Sequence, residues 1–196
     1  MSRRPLRFVG DGGDISYPEH ATNIPKCRQH NFAPKKTVSQ ECAEHRVPCR
    51  DHSDQRVAAL MTYTGDDIYQ DLNKSLRQYN HKQWENTVFY LNTAVNSLPF
   101  SGSHPKVYRG INNVQVKLAV GKTVVFKEFT STTKSHSVAR GFAGSSGVLF
   151  EISGWQTGAD VAKFSPYPDE EEILLAPYQT FRVTAIQGNL VKLAAA

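Results

Sequence analysis

The densest run of chemically capable side chains is Asp169-Glu170-Glu171-Glu172, directly ahead of the apolar triplet Ile173-Leu174-Leu175. On an extended strand alternate side chains share a face, so Glu170 and Glu172 are expected on one side and Glu171 on the other. Two carboxylates at the mouth of a buried strand can do different work. Repulsion raises the pKa of one, while a nearby cation or hydroxyl keeps the other ionised. Taken alone, an acidic run before a strand is more often a solvated edge than a catalytic pair. Two further groups add to it. Val107-Tyr108-Arg109-Gly110 sets an arginine, suited to holding an anion, beside a glycine that lets backbone come close to a ligand. Phe129-Thr130-Ser131-Thr132-Thr133 closes another strand-like stretch with a cluster of hydroxyls. Each is ordinary alone: a strand-end arginine is usually a surface cation, and a Ser/Thr run a turn or helix cap.

The elements that must position these residues are helices first and strands afterwards. Ser53 or Asp54 is placed to cap a short helix through Val57, Leu60 and Met61. Asp66 or Asp67 opens a second, with Ile68, Leu72 and Leu76 at four-residue intervals. A third, Gln83 to Leu98, carries Trp84, Val88, Leu91, Val95 and Leu98, and Pro99 ends it. Strands are predicted over Lys106–Arg109, Lys122–Phe129, Gly147–Ile152, Asp160–Phe164, Glu172–Leu175, Thr180–Ile186 and Asn189–Leu193, with one short helix around Ser137–Phe142. This order predicts an α+β fold rather than alternating βαβ units.

The chain has 196 residues, 39% of them hydrophobic, enough to bury a core without disulfides. No stretch approaches the roughly 18 consecutive apolar residues of a membrane helix. The opening, MSRRPLRFVGDGGD, has no apolar signal core, although a Met1 added to an excised fragment would leave export undecided. The net charge of +5 permits an acidic partner without naming one. Residues 1–52 hold five of the ten prolines, all three cysteines and His20, His30, His45 and His52, and they read as an extended or partly disordered arm. Residues 53–193 are expected to form the folded domain. Ala194, Ala195 and Ala196 look like a cloning remnant.

In the order Arg, then Ser-Thr-Thr, then Glu-x-Glu, the three motifs resemble the mono-ADP-ribosyltransferases of the arginine–serine–glutamate class. That class includes vertebrate arginine-specific ectoenzymes and many bacterial toxins. The likeness runs from about Ala58 to Val191. Ala59–Thr64 with Ile68-Tyr69 and Leu72-Asn73 looks like the family's helical opening, and Ala139, Phe142 and Gly147–Ile152 like its nicotinamide-side loop and strand. Phe164–Pro168 resembles the loop that presents the protein target, and Glu172–Pro177 the catalytic strand. The resemblance implies N-terminal helices followed by a mixed, β-sandwich-like core that binds NAD as co-substrate. It implies that Glu172 stabilises the oxocarbenium-like ribose and holds its 2′-hydroxyl, that Ser131 orients Glu172, and that Arg109 holds the diphosphate. Gly110 would meet the nicotinamide amide through its backbone, Phe142 would pack on the nicotinamide ring, Tyr167 would touch the target, and Glu170 would take a proton from the nucleophile. A glutamate two residues before the catalytic one goes with arginine acceptors in this family, though some relatives modify threonine.

Two features depart from the family pattern. Thr133 stands where serine is usual, and the cysteines sit in the arm rather than where ectoenzymes place their disulfides, which points toward a secreted or injected toxin or effector. Actin is a common target of related single-domain toxins, and an immunity or delivery partner would accompany such a role. Cys27-x-x-His30, Cys42-x-x-His45 and Cys49-x-x-His52 repeat one spacing. Zinc, a disulfide and free thiols on an arm all remain open, since no familiar zinc spacing fits and three cysteines leave one over. The other functions weighed are an NAD glycohydrolase, a transferase to threonine, nucleic acid or a small molecule, and a non-enzymatic nucleic-acid-binding module. The last lacks a basic stripe interleaved with aromatics.

Overall fold

The computed structural model describes residues 33–48, 50, 52–65, 68–98, 104–112, 114 and 117–196. Helix α1 (Val38–Glu44) opens with a capping box: the Thr37 hydroxyl accepts from the Gln40 N–H and the Gln40 side chain accepts from the Thr37 N–H. Val38 and Cys42, one turn apart, are buried. Between them Glu41 turns inward, and its carboxylate accepts from Asn86 N–H (3.1 Å), Asn86 Nδ2 (2.8 Å) and Thr87 N–H (2.7 Å). A carboxylate there satisfies the orphan donors at the start of the next long helix and complements its dipole. The arm expected up to residue 52 is therefore a docked helix over this stretch. The capping of a partner 45 residues away leaves no local periodicity to read. Residues 1–32, 49 and 51 of the expected arm lie outside the described residues.

Helix α2 (Gln55–Thr64) is capped by Asp54, whose carboxylate accepts the Arg56 N–H at 2.9 Å. Arg56 holds that carboxyl down at about 2. Helix α3 (Tyr69–Arg77) buries Leu72 and Leu76 on the expected face, without a side-chain cap; Asp66 and Asp67 lie outside the described residues. Helix α4 (Glu85–Ser97) starts two residues later than predicted, because Lys82–Trp84 form a tighter 3-10 turn.

Among the described residues eight strands follow: β1 (Val107–Ile111), β2 (Thr123–Phe126), β3 (Thr130–Thr133), β4 (Val148–Ser153), β5 (Gly158–Asp160), β6 (Glu172–Leu175), β7 (Gln179–Gln187) and β8 (Leu190–Ala195), with helix α5 (His136–Ala143) between β3 and β4. Their order in the sheet is β2-β7-β8-β4-β1-β3-β6-β5, and only the β4–β8 pair is parallel. The strand predicted over Lys122–Phe129 is shorter than expected: β2 stops at Phe126 and pairs with β7 at one edge, and β3, which begins only at Thr130, pairs with β1 and β6 in the other half. The stretch predicted as a strand over Asp160–Phe164 instead leaves β5 for a 3-10 turn at Ala162–Phe164. Ala194 and Ala195, set aside as a remnant, continue β8 and pair with Arg182 and Phe181. Ladder hydrogen bonds are made by backbone and do not depend on side-chain identity.

Two cores meet at β6. Leu174 joins Leu60, Tyr63, Leu72, Leu76, Trp84, Leu91 and Phe129 between the helices and the sheet. Ile173 and Leu175, on the other face, join Val107, Phe126, Phe150, Trp155, Phe181 and Leu193. Residues from both halves of the sheet share this second core, so the sheet folds over itself as a sandwich. Helix α5 lies outside, with Ala139 and Ala143 against Leu149.

Candidate active site

The β3–β6 ladder builds the centre of the site. Thr133 pairs with Glu172 and Ser131 with Leu174, and directly paired residues share a face. Ser131, Thr133 and Glu172 therefore project together from the face of Leu174, toward the helical layer. Thr132 turns the other way, and its hydroxyl donates to the Ile173 carbonyl at 2.7 Å. Glu172, the first residue of β6, is only 4% exposed. Thr133, the departure from serine, uses its hydroxyl oxygen to accept the Ser135 N–H at 3.0 Å, which turns the chain into α5.

Arg109 approaches from the opposite side. It shares a face of β1 with Val107 and Ile111, which belong to the sandwich interior. Its guanidinium lies 6.0 Å from the Phe126 ring centroid, donates to the Ser131 carbonyl at 3.2 Å, and stands 3.9 Å from Glu128. Glu128 also stands 3.7 Å from Arg77 of α3. With 11% of its side chain exposed, Arg109 has its pKa lowered by burial, while the Glu128 carboxylate opposes the shift. It meets Ser131 through the main chain rather than the hydroxyl.

A second clamp comes from the helices. The Tyr63 hydroxyl of α2 donates to the Phe129 carbonyl at 3.1 Å and accepts from Asn73 Nδ2 of α3 at 2.8 Å; Asn73 also reaches that carbonyl at 3.3 Å. Phe129 immediately precedes β3. Burial raises the Tyr63 phenol above its ordinary range; the Asn73 donor opposes this, the Glu172 carboxylate adds to it, and the Arg109 cation opposes it.

Gly110 has a packing reason of its own. A Cβ there would fall 1.9 Å from the Ala139 carbonyl oxygen and 2.6 Å from the Ala143 nitrogen. The backbone that comes close is that of α5, and this contact seats the helix carrying half-buried Phe142 against β1.

Glu170 corrects the strand argument. It ends a 3-10 turn, Pro168–Glu170, and Glu171 then adopts a left-handed conformation (φ 47°) before β6 begins. Strand alternation therefore does not relate Glu170 to Glu172; a turn carries the one and the sheet the other. Half-buried Tyr167 precedes that turn, its N–H donating to Ser165 Oγ at 3.1 Å.

The Cys/His pairs are dispersed where they are described. Cys42 is buried among the helices. His45 packs tilted against Trp84 (4.3 Å between centroids) with Nε2 2.7 Å from the Gln83 carbonyl, and His52 Nδ1 accepts the Asp54 N–H at 3.0 Å. Cys27, His30 and Cys49 lie outside the described residues. Among the described residues no group of three or more His, Cys, Asp or Glu could hold a metal, and no helix is long and apolar enough to cross a membrane.

The family model of NAD:arginine ADP-ribosyltransferase matches residues 24–193. The chain belongs to this family. The Mycobacterium avium protein Mav, a candidate NAD(+)–arginine ADP-ribosyltransferase, is 33% identical over 187 residues, covering 92% of this chain and 22% of its own length. Rat T-cell ecto-ADP-ribosyltransferase 1 is 35% identical over 136 residues, covering 66% of this chain and 48% of its own. The chain thus spans from about a fifth to a half of these relatives. Among solved structures, a mutant of the eukaryotic mono-ADP-ribosyltransferase ART2.2 in complex with NAD superposes with a TM-score of 0.60 at 28% identity, covering 71% of this chain and 64% of that one. Exoenzyme S of Pseudomonas aeruginosa superposes with a TM-score of 0.58 at 27% identity, covering 74% and 75%. The bacterial protein matches 92% of this chain at 33% identity and the ectoenzyme 66% at 35%. Sequence reasoning passed over Glu128, Arg77 and the Tyr63–Asn73 clamp. A lone carboxylate inside an apparent strand was the available sign of Glu128.

Proposed function

We propose that this chain is a mono-ADP-ribosyltransferase domain that moves ADP-ribose from NAD to an arginine side chain of a protein, and that it serves as a toxin or effector domain. The observation that carries the proposal is the buried Glu172, set by register opposite Thr133 and on the same face as Ser131, whose strand β3 Arg109 holds through the Ser131 carbonyl. The reaction breaks the bond between nicotinamide and the ribose C1′, and positive charge develops at that carbon as in glycoside hydrolysis. A carboxylate held rigidly beside it stabilises the transition state more than the ground state. Glu172 takes that role and accepts from the 2′-hydroxyl, and Ser131 orients it. Arg109 keeps β3 in place and adds a cation to the field that attracts the diphosphate. Phe142 and the Gly110 backbone bound the nicotinamide side.

An arginine acceptor is a poor nucleophile while protonated, and its pKa lies above about 12. A base must take the proton as the nitrogen attacks C1′. Glu170 does so from the turn ahead of β6, with Tyr167 contacting the target. Bacterial and vertebrate relatives share this chain's family, and the effector reading rests on its likeness to Exoenzyme S.

Incubation of the chain with biotin-NAD and a cell lysate, followed by mass spectrometry, tests the proposal. ADP-ribose is expected on arginine of a protein acceptor, with actin one protein to inspect. NAD consumption without protein labelling, or label on threonine or nucleic acid, would replace the reading with one of its rivals.

A further inference from the structure

The two glutamates hang from different supports, and this separation leads to an inference about Thr64. Glu172 is held by the sheet, between β3 and β5: Thr133 is its partner across the ladder, and its carbonyl accepts the Val161 N–H at 3.0 Å. Glu170 belongs to the turn that leaves β5 at Val161 and returns at Glu172. Short-range bonds run through that turn: Phe164 N–H to Val161 O (2.9 Å), Tyr167 N–H to Ser165 Oγ (3.1 Å), Glu170 N–H to Tyr167 O (3.1 Å) and Glu171 N–H to Pro168 O (3.1 Å). At its far end the Lys134 N–H reaches the Glu171 carbonyl at 3.3 Å, next to the left-handed backbone of Glu171.

At its base the turn is tied to the helical layer. Thr64, the last residue of α2 and fully buried, donates its hydroxyl to the Phe164 carbonyl at 3.1 Å; the same oxygen lies 3.5 Å from the Met61 carbonyl. The Phe164 ring packs against the helical core. Backbone beyond that bond, from Ser165 to Glu170, carries Tyr167 and the proposed base.

We propose that Thr64 is a positioning residue for the acceptor half of the reaction. It fixes the base of the 165–171 turn, so that Glu170 meets the incoming guanidinium, and it leaves Glu172 and the cleavage of NAD untouched. The proposal rests on the reading of Glu170 given above. A small displacement of a base that must lie within hydrogen-bond reach is costly in rate, whereas water as acceptor needs less positioning.

The test compares transfer to a free guanidine, agmatine, with NAD hydrolysis in the absence of acceptor. Thr64→Val keeps the shape and removes the hydroxyl. Its kcat/KM for transfer is expected to fall roughly ten- to a hundred-fold, with hydrolysis within about two-fold of the parent. Thr64→Ser retains the hydroxyl and is expected to keep the parent ratio of transfer to hydrolysis. A folded Thr64→Val chain that loses both activities in parallel, or neither, overturns the proposal. If Thr64→Val does not fold, Ser165→Ala, which frees the Tyr167 N–H at a half-buried position, must lower the same ratio; an unchanged ratio overturns the proposal. Glu170→Gln run alongside separates the two claims. Should it transfer normally, the role of Glu170 is wrong; should it lose transfer while Thr64→Val and Ser165→Ala do not, only the anchoring role is wrong.

Discussion

At the scale of single residues, the site depends on groups that hold one carbonyl or one strand in place. Tyr63 and Asn73 converge on the Phe129 carbonyl, just before the hydroxyl strand. Tyr63→Phe removes the donor to that carbonyl and the acceptor for Asn73. Asn73 keeps its bond to that carbonyl, so the loss is that of the buried tyrosine hydrogen bonds, about 0.5–1.5 kcal/mol each, which urea unfolding measures. The substitution also changes the alkaline limb of stability. Burial raises the Tyr63 pKa in the folded state, so the stabilisation is complete below the unfolded value of about 10 and is lost as pH rises beyond it. Above the unfolded value of about 10, Tyr63→Phe is expected to lose less stability with rising pH than the parent; an identical alkaline limb would remove Tyr63 from this account. Arg109 shows what residue types alone convey. Its identity announced an anion-binding cation, whereas its buried contacts with the Ser131 carbonyl and Glu128 arise only from the fold.

Elements were legible where a local pattern determined them. Glu172-Ile173-Leu174-Leu175 is a strand as read, because both of its faces are buried and a continuous apolar run records that. Leu72 and Leu76 mark one face of α3 in the same way. Illegible stretches answer to distant partners or to backbone conformation. Glu41 of α1 caps α4, Glu128 lies between β2 and β3 against Arg77 and Arg109, and left-handed Glu171 detaches Glu170 from the strand. Gly110 belongs to this scale as well, since its missing Cβ is what lets α5 lie on β1. Gly110→Ala would drive a methyl into the Ala139 carbonyl, and the helix must move. The expected loss of stability is at or above the usual ~1–3 kcal/mol of overpacking. Chemical denaturation reads it, and a loss below half a kilocalorie, taking about 1 kcal/mol as the least overpacking cost, would contradict the close contact.

Across the whole molecule, β6 joins the helical core to the sandwich core, so neither is expected to unfold alone. The two tryptophans report on them separately: Trp84 lies in the first and Trp155 in the second, both almost fully buried. In Trp84→Phe and Trp155→Phe variants the remaining indole reports a single core. Each variant's fluorescence transition is expected to coincide with its own far-UV circular dichroism transition, as cooperative unfolding requires. A helical layer that melts at lower denaturant than the sandwich would show that β6 does not couple them. Such coupling matters for catalysis, because Ser131 and Glu172 lie on the sheet while the Phe129 carbonyl just ahead of β3 is held by Tyr63 and Asn73 of the helices.

Of all these expectations, the division of labour between the two glutamates bears most directly on what the domain does. Labelled NAD offered to purified Glu172→Gln and Glu170→Gln chains, with and without agmatine, measures it. The account predicts that Glu172→Gln loses both transfer and hydrolysis, and that Glu170→Gln loses transfer while keeping appreciable hydrolysis. Near-normal transfer by both variants would contradict it.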